Sequence, residues 1–274
     1  MTGNIEVTIL GCGSSGGVPR VGGDWGACDP NEPKNRRTRC SLWVEYWEGD
    51  TKPERDKCTS VLIDTSPDLR EQLLAIEIKR LDALFFTHEH ADQTHGIDDL
   101  RALAYRMRQR VPTYMDQHTH DHVYERFKYC FEMPEGRVHP PILELKDLIK
   151  PGDVHQVEGP GGVLDIAVLG LSHGPTPALG FLIGNKIAYT PDVHDISNQT
   201  LGTLEDIPIW IMDGLRYSGH PTHAHVDKGL SWIARTRTRK AILTNLHIDM
   251  DYNVLKSELT GNHTVAYDGM SVVA

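Results

Sequence analysis

The sequence has 274 residues, and its 28 Lys and Arg against 38 Asp and Glu give a net charge of −10 with neutral histidines. This acidic balance argues against a general nucleic-acid binder, and the 39% share of hydrophobic residues excludes a disordered chain. No apolar run approaches the ~20 residues that span a bilayer, and the start lacks the features of a signal peptide. Five cysteines without a CxxC pair are typical of a reduced protein. We therefore expect a cytoplasmic protein with neither a nucleic-acid nor a membrane partner.

Short apolar, β-branched runs alternate with helical patterns along the chain. The predicted strands are 6–10, 61–63, 81–87, 163–169, 179–183, 186–190, 207–212 and 240–246. The predicted helices are 66–78, opened by Ser66 as N-cap and Pro67, then 98–110, 122–131 and 226–235. The run 118–122 (HTHDH) is expected to cap and begin the third helix rather than to bind metal. This order predicts a layered α/β protein. The Gly and Pro clusters have the composition of loops, so residues 1–274 are predicted to form a single domain.

A dense cluster of ligand-type residues follows the predicted strand 81–87. His88, His90 and Asp92 stand at alternate positions. Because alternate side chains of a chain leaving a strand point to one side, the two imidazoles can converge on one point with Asp92 beside them. Two imidazoles and a carboxylate suit a divalent ion such as Zn²⁺ or Mn²⁺. For this motif alone, a solvated polar loop is the alternative interpretation.

Later predicted strands also end in ligand-type residues. His173 follows one strand in Leu-Ser-His-Gly, and Asp192 follows another in Thr-Pro-Asp. His95, His223 and His247 likewise end or follow predicted elements. Sheet proteins collect functional groups on the loops that follow strands, so these residues strengthen the prediction of a metal site.

Taken together, the HxHxD motif, the strand-end His and Asp, and a late LT-x-x-H resemble the metallo-β-lactamase superfamily. Within it, the sequence is similar to the phosphodiesterase branch, which includes the enzyme that opens phosphoribosyl 1,2-cyclic phosphate and is related to tRNA 3′-processing nucleases. Residues 11–19 (GCGSSGGVP), 34–39 (KNRRTR) and 266–270 (AYDGM) fit that branch, so the resemblance covers essentially the whole chain. It implies a four-layer αββα sandwich with a dinuclear metal site at one edge of the sheets.

The resemblance also implies a ligand set. His88, His90 and His173 would hold one metal ion, and Asp192 would bridge it to a second ion held by Asp92. We expect Zn²⁺ or Mn²⁺ at the first position.

Two positions expected to bind the second ion depart from the family pattern, because Gln93 and Asn245 stand where the family has histidines. Amide oxygens are weaker donors than imidazole nitrogens and suit Mn²⁺ or Mg²⁺ better than Zn²⁺, so the second site is expected to be weak, manganese-selective or empty. His247 could compensate, because strand alternation would place it on the same face as Asn245, and so could His95. A supporting or surface role is the alternative for both histidines.

The implied reaction is metal-dependent hydrolysis of a small phosphate ester, linear or cyclic, by a metal-activated water that Asp92 helps to hold. His223 matches the family's mobile-loop histidine and would stabilise the phosphate oxygens or protonate the leaving group, with His225 as the competing residue. An exposed pair of loop histidines is the alternative. Arg216 and the basic residues 36–39 could bind phosphate, although a solvated turn explains the latter equally well.

Two other classes of function stay open at this point. A lactonase or thioesterase could use the same scaffold, because fold does not fix substrate, and the altered second site would also suit a catalytically impaired ligand-binding member. A tRNA-processing nuclease is disfavoured by the acidic balance of the chain. A homodimer is left open.

Overall fold

The computed structural model describes residues 3–133, 135–136 and 138–274. The first sheet contains β1 (Asn4–Gly11), β2 (Ser41–Trp47), β3 (Thr59–Ile63), β4 (Ala83–Phe85), β5 (Val111–Tyr114), β6 (Leu143–Leu145) and β14 (Met270–Val273), in the order β14-β1-β2-β3-β4-β5-β6. The second sheet contains β7 (Val154–Gly159), β8 (Gly162–His173), β9 (Thr176–Ile183), β10 (Ile187–Thr190), β11 (Ile209–Asp213), β12 (Lys240–Thr244) and β13 (Thr264–Val265), in the order β13-β12-β11-β10-β9-β8-β7. Each sheet is mixed, with β3 to β6 parallel in the first and β10 to β13 parallel in the second.

The helices are α1 (Leu69–Ala75), α2 (Ala91–Thr94), α3 (Arg101–Met107), α4 (Gln117–Phe131), α5 (Asn198–Thr203), α6 (Val226–Thr236) and α7 (Tyr252–Glu258). Among residues 3–133, 135–136 and 138–274, no helix combines the length and the apolar character needed to cross a bilayer.

The hydrophobic core is divided into layers. Side chains of both sheets interdigitate in a central cluster that includes Val7, Phe85, Ile166 and Phe181. A second cluster packs α1, α3 and α4 on the outer face of the first sheet, and a third packs α5, α6 and α7 on the outer face of the second sheet. Each sheet is therefore buried on both faces, which confirms the predicted four-layer αββα sandwich.

The predicted strands all fall on observed strands, but the prediction missed β5, β6, β7, β13, β14 and the longest of these six strands, β2. This strand is central in the first sheet and buried along its whole length, so it has no alternation of polar and apolar residues. Its Glu45 carboxylate is buried and lies 2.7 Å from both Lys52 Nζ and Arg55 Nε. Those partners come from the loop beyond the strand, which the local sequence pattern does not reveal.

Two predicted boundaries are corrected by local hydrogen bonds. The helix expected from Ser66 begins at Leu69, because the Ser66 hydroxyl accepts a hydrogen bond from the Asp68 N–H (3.2 Å) in the turn before it. The third predicted helix begins at Gln117, because the Asp116 carboxylate accepts from the Thr119 N–H (2.8 Å) as N-cap. The histidine-rich run 118–122 therefore lies in the first turns of α4.

Candidate metal centre

The ligand-type residues meet at one edge of the two sheets. The chain leaving β4 carries His88 and His90, and β8 ends at His173. Asp192 follows β10, and Asp213 is the last residue of β11. Residues from both sheets therefore supply the centre.

Three imidazoles converge at this edge. His88 Nε2 lies 3.0 Å from His90 Nδ1, and the His173 ring centroid lies 5.0 Å from that of His88 and 5.2 Å from that of His90. One nitrogen of each ring lies within 4.8 Å of the other two. With Zn–N bonds of about 2.0–2.1 Å, tetrahedral ligand atoms are about 3.3 Å apart, so the three rings fit one divalent ion.

Hydrogen bonds fix which nitrogens are free. Thr87 Oγ1 donates to Asp64 Oδ2 (2.9 Å), so it accepts from Nδ1–H of His88 (3.0 Å). His173 Nδ1 donates to the carbonyl oxygen of Thr222 (2.7 Å). Both rings are therefore left with Nε2 as an unprotonated ligand atom, the arrangement that supporting hydrogen bonds produce at metal sites.

The pKa values of these imidazoles favour the neutral form. Burial, reinforced by His90 and His173, lowers the pKa of His88 well below its usual range. Burial and the neighbouring His223 lower the pKa of His173 to about 4. At neutral pH both rings are therefore ready to bind a cation without first losing a proton.

Asp192 is the carboxylate of the centre. It is buried and forms a group with His173 and His223 whose ligand atoms lie within 4.8 Å of one another. Burial raises the pKa of Asp192, and the charges of Asp92 and Asp213 raise it further against the opposing charge of His223. A buried carboxylate among like charges is stabilised by a cation at its side.

Gln93 and Asn245 both lie beside Asp192. Gln93 Nε2 donates to Asp192 Oδ2 (3.2 Å) and to Asp92 Oδ2 (3.4 Å). Asn245 Nδ2 donates to Asp192 Oδ1 (3.3 Å) and to Asp213 Oδ1 (3.3 Å). Each amide therefore places an NH₂ group between two carboxylates.

His223 faces the three-imidazole group, with its ring centroid 4.6 Å from that of His173. Its Nδ1 lies 2.8 Å from Asp213 Oδ2, which leaves Nε2 free. Burial lowers the pKa of His223, but the hydrogen bond and charge of Asp213, with the charges of Asp192 and Asp92, outweigh it and raise the pKa to about 9.

The sequence prediction missed Asp213. This carboxylate is buried, and it also accepts from the N–H groups of Val193 (3.1 Å) and Leu215 (3.0 Å). The available signal was its position directly after the predicted strand 207–212, the same signal that identified Asp192.

The expectation that alternation places His247 on the same face as Asn245 is wrong. The strand β12 ends at Thr244, and Asn245 has a positive φ of 61°, so the alternation stops there. His247 lies 2.8 Å from Asp249 through Nδ1 and contacts Arg20 through Nε2. Its ring therefore has other partners at both nitrogens.

Other predicted residues engage their own surroundings. The exposed His95 packs its ring against Phe127, with centroids 5.6 Å apart. The Arg216 guanidinium donates to the carbonyl oxygen of Gly219 (2.8 Å) in its own loop, and its backbone bridges to that of His225, the N-cap of α6. A substrate-binding role for Arg216 and His225 stays a prediction.

The basic residues 36–39 are also engaged. Arg37 is buried and donates to the Asn35 side-chain oxygen (3.1 Å), whereas Arg39 forms an ion pair with Asp68 (2.9 Å). These two contacts stabilise the loop before β2.

Known proteins share this fold. The model of the beta-lactamase superfamily domain matches residues 59–248. A structure described as a new diphosphatase from the PhnP family is 29% identical, with a TM-score of 0.85 over 99% of this chain and 97% of that chain. Zn²⁺-bound PqqB from Methylobacterium extorquens is 17% identical, with a TM-score of 0.73 over 97% of this chain and 99% of that chain.

A curated relative, an octanoyltransferase from Porphyromonas gingivalis, is 31% identical over 275 residues, which cover 98% of this chain and 51% of the relative. The chain therefore spans about half the length of that relative. Because the family model matches most of the chain, and the fold and the histidine cluster agree with it, this protein belongs to the metallo-β-lactamase superfamily of hydrolases.

Proposed function

We propose that this protein is a metal-dependent phosphodiesterase that hydrolyses a small phosphate ester, linear or cyclic. The observation that carries the proposal is the convergence of His88, His90 and His173 beside the buried carboxylate of Asp192, with His223 facing them. The similarity to a diphosphatase of the PhnP family supports phosphate as the reacting group.

The three imidazoles and Asp192 would hold Zn²⁺ or Mn²⁺. Neutral imidazole nitrogens and one carboxylate are a donor set that both ions accept. When bound, the ion supplies Lewis acidity and lowers the pKa of water at the site.

His223 would act on the phosphate. Its Nδ1 is occupied by Asp213, so Nε2–H is the group free to donate to a phosphate oxygen or to the departing alkoxide. Its raised pKa keeps this proton in place at neutral pH. Asp92 is half-buried beside Gln93 and would orient the attacking water.

Hydrolysis of a carbon ester or thioester is the second candidate. The relative that is named an octanoyltransferase favours it, although the chain covers only half of that relative. The acyl and phosphate reactions make different demands on His223, because a phosphodiester carries negatively charged oxygens from the start, whereas an ester or thioester develops one only in its tetrahedral intermediate.

Turnover of the two substrate classes separates these candidates. We expect the Zn²⁺- or Mn²⁺-loaded protein to hydrolyse bis-p-nitrophenyl phosphate, and His223→Ala to lower kcat by about 10²–10⁴-fold with the metal content unchanged. His139→Ala, which removes an exposed histidine, is the matched control and should keep the wild-type rate. Phosphodiester turnover no faster than in His223→Ala, with faster hydrolysis of an octanoyl thioester, would favour the acyl reaction instead.

A further inference from the structure

We propose that the centre of this protein binds one divalent ion rather than a pair, because the amide NH₂ groups of Gln93 and Asn245 lie where a second ion would bind. The inference rests on the proposed metal-dependent function and deepens it. It departs from the dinuclear site that the sequence resemblance implies.

Gln93 is the first of the two residues. Its buried Nε2 contacts Asp192 Oδ2 at 3.2 Å and Asp92 Oδ2 at 3.4 Å, so one NH₂ group lies between the two carboxylates. A carboxylate only accepts hydrogen bonds, and this orientation satisfies both. In the reverse orientation Oε1, which has no hydrogen-bond partner in the described part of the chain, would face two anionic oxygens. Only a cation between them would stabilise that orientation.

Asn245 completes the arrangement on the other oxygen of Asp192. Its Nδ2 lies 3.3 Å from Asp192 Oδ1 and 3.3 Å from Asp213 Oδ1. The residue is buried and held in the left-handed region by its position at the end of β12, so its side chain has little freedom to turn away. Both oxygens of Asp192 thus receive a neutral donor.

The metal-ligand clusters lead to the same conclusion. Among the described residues, two groups offer three ligand atoms that lie close together. The first is His88, His90 and His173, and the second is His173, Asp192 and His223. Both need His173, which has only Nε2 free because Nδ1 donates to Thr222. In the second group, His223 offers only Nε2, because Nδ1 donates to Asp213, and the group still needs the single free nitrogen of His173 that the first group uses. Neither group includes Asp92, so the residues fit one ion.

Metal stoichiometry tests this inference without using activity. We expect the wild-type protein, loaded with Mn²⁺ and desalted, to contain about one ion per chain and to give the paramagnetic resonance spectrum of an isolated ion. The double variant Gln93→His, Asn245→His should contain about two ions, with the spectrum of a coupled pair, since two-metal sites hold ions about 3.5–4 Å apart. Gln109→His adds an exposed imidazole between two arginines as the matched control and should contain about one ion.

Each outcome is decisive. About two ions in the wild-type protein would overturn the inference, and so would about one ion in a double variant whose circular dichroism and thermal unfolding match the wild type. One bound ion without phosphodiester turnover would instead contradict the proposed function and leave the inference standing. A wild-type protein that binds no ion would overturn both.

Discussion

At the scale of single residues, Asp213 and His223 behave as a pair. Asp213 is buried, and four donors point at its two oxygens: two backbone N–H groups, the His223 ring and the Asn245 amide. The backbone contacts fix the carboxylate, and the carboxylate fixes the ring. The orientation and protonation of His223 therefore depend on a residue that the sequence motif did not identify.

Replacing Asp213 should change the pKa of His223. In the metal-free wild-type protein we expect an imidazole pKa of about 9. In Asp213→Asn the hydrogen bond to a charged acceptor is lost and burial dominates, so this pKa should fall by about three units, to about 6, and the ring should be largely neutral at pH 7. A nuclear magnetic resonance titration of the histidine ring protons measures the pKa of His223 in both proteins.

The exposed Asp195→Asn provides the control for this titration and should leave the His223 pKa unchanged. We also expect kcat for a phosphodiester to fall by about 10²-fold or more in Asp213→Asn, because His223, the proposed general acid, has lost its proton. An unaltered His223 titration in this variant would show that Asp213 does not control the ring.

The residues of the centre differ in how far the sequence could predict them. His88, His90, His173 and Asp192 were predictable because each follows a strand, and strand ends meet at sheet edges. The surroundings of His247 were not predictable. The positive φ of Asn245, two residues before it, ends the strand early, and sequence patterns do not show where the alternation of side chains stops.

At the scale of elements, the turn between β13 and β14 holds together the segments that flank β1 and β2 at one edge of the first sheet. Asp268 in this turn accepts from the N–H of Cys12 (3.0 Å) and from the N–H and hydroxyl of Thr38 (both 2.7 Å). Cys12 follows β1 and Thr38 precedes β2, so one carboxylate holds three segments that are distant in sequence.

We expect Asp268→Asn to lower the free energy of unfolding by about 1–3 kcal/mol. The amide side chain of this variant would have one accepting oxygen, whereas both oxygens of Asp268 accept hydrogen bonds. Its NH₂ group would therefore face a backbone N–H of Cys12 or Thr38 and leave that buried N–H without an acceptor. Urea denaturation measures the change. Asp147→Asn, at an exposed carboxylate in the loop after β6, is the control for removing an acidic residue. An equal loss of stability in both variants would contradict the special role of Asp268.

The same carboxylate predicts a pH dependence. Burial raises the pKa of Asp268 from 3.8 to about 6, against the hydrogen bonds that lower it. The folded state therefore binds more protons than the unfolded state between these values, so the contribution of this group is complete below pH ~4 and is lost as the pH rises through ~6. We expect the stability difference between wild type and Asp268→Asn to decrease over this interval, as urea titrations at several pH values would show.

Elements also differ in how far the sequence predicts them. The apolar strands β9, β10 and β11 were predictable from composition. The strand β2 was not, because burying Glu45 depends on Lys52 and Arg55, which reach it only in the folded protein. Tertiary ion pairs of this kind override the local pattern.

At the scale of the whole molecule, the centre depends on how the two sheets pack. Phe85 of the first sheet stacks on Tyr114, with centroids 4.5 Å apart, and meets Phe181 of the second sheet edge-on at 5.4 Å. His88 lies three residues beyond Phe85, and His173 comes from the opposite sheet. The aromatic contact therefore supports the distance between the two histidines of the proposed metal site.

We expect Phe85→Ala to destabilise the fold by about 3–5 kcal/mol, because it leaves a cavity between the sheets. Its affinity for Zn²⁺ should also fall, since the two halves of the ligand set are less firmly held. Thermal unfolding and calorimetric zinc titration measure the two effects. Val273→Ala on the edge strand β14 should change stability by no more than about 0.5 kcal/mol, and a Phe85→Ala protein with unchanged stability and zinc affinity would refute the coupling.

A zinc-loaded crystal, with diffraction recorded on both sides of the zinc absorption edge, tests most directly whether the two sheets share an ion. We predict one strong anomalous peak at about 2.0–2.2 Å from His88 Nε2, His90 Nδ1, His173 Nε2 and an oxygen of Asp192. A peak bound by residues of one sheet only, or no ordered ion among these four side chains, would contradict the assignment of a metal-dependent hydrolytic centre.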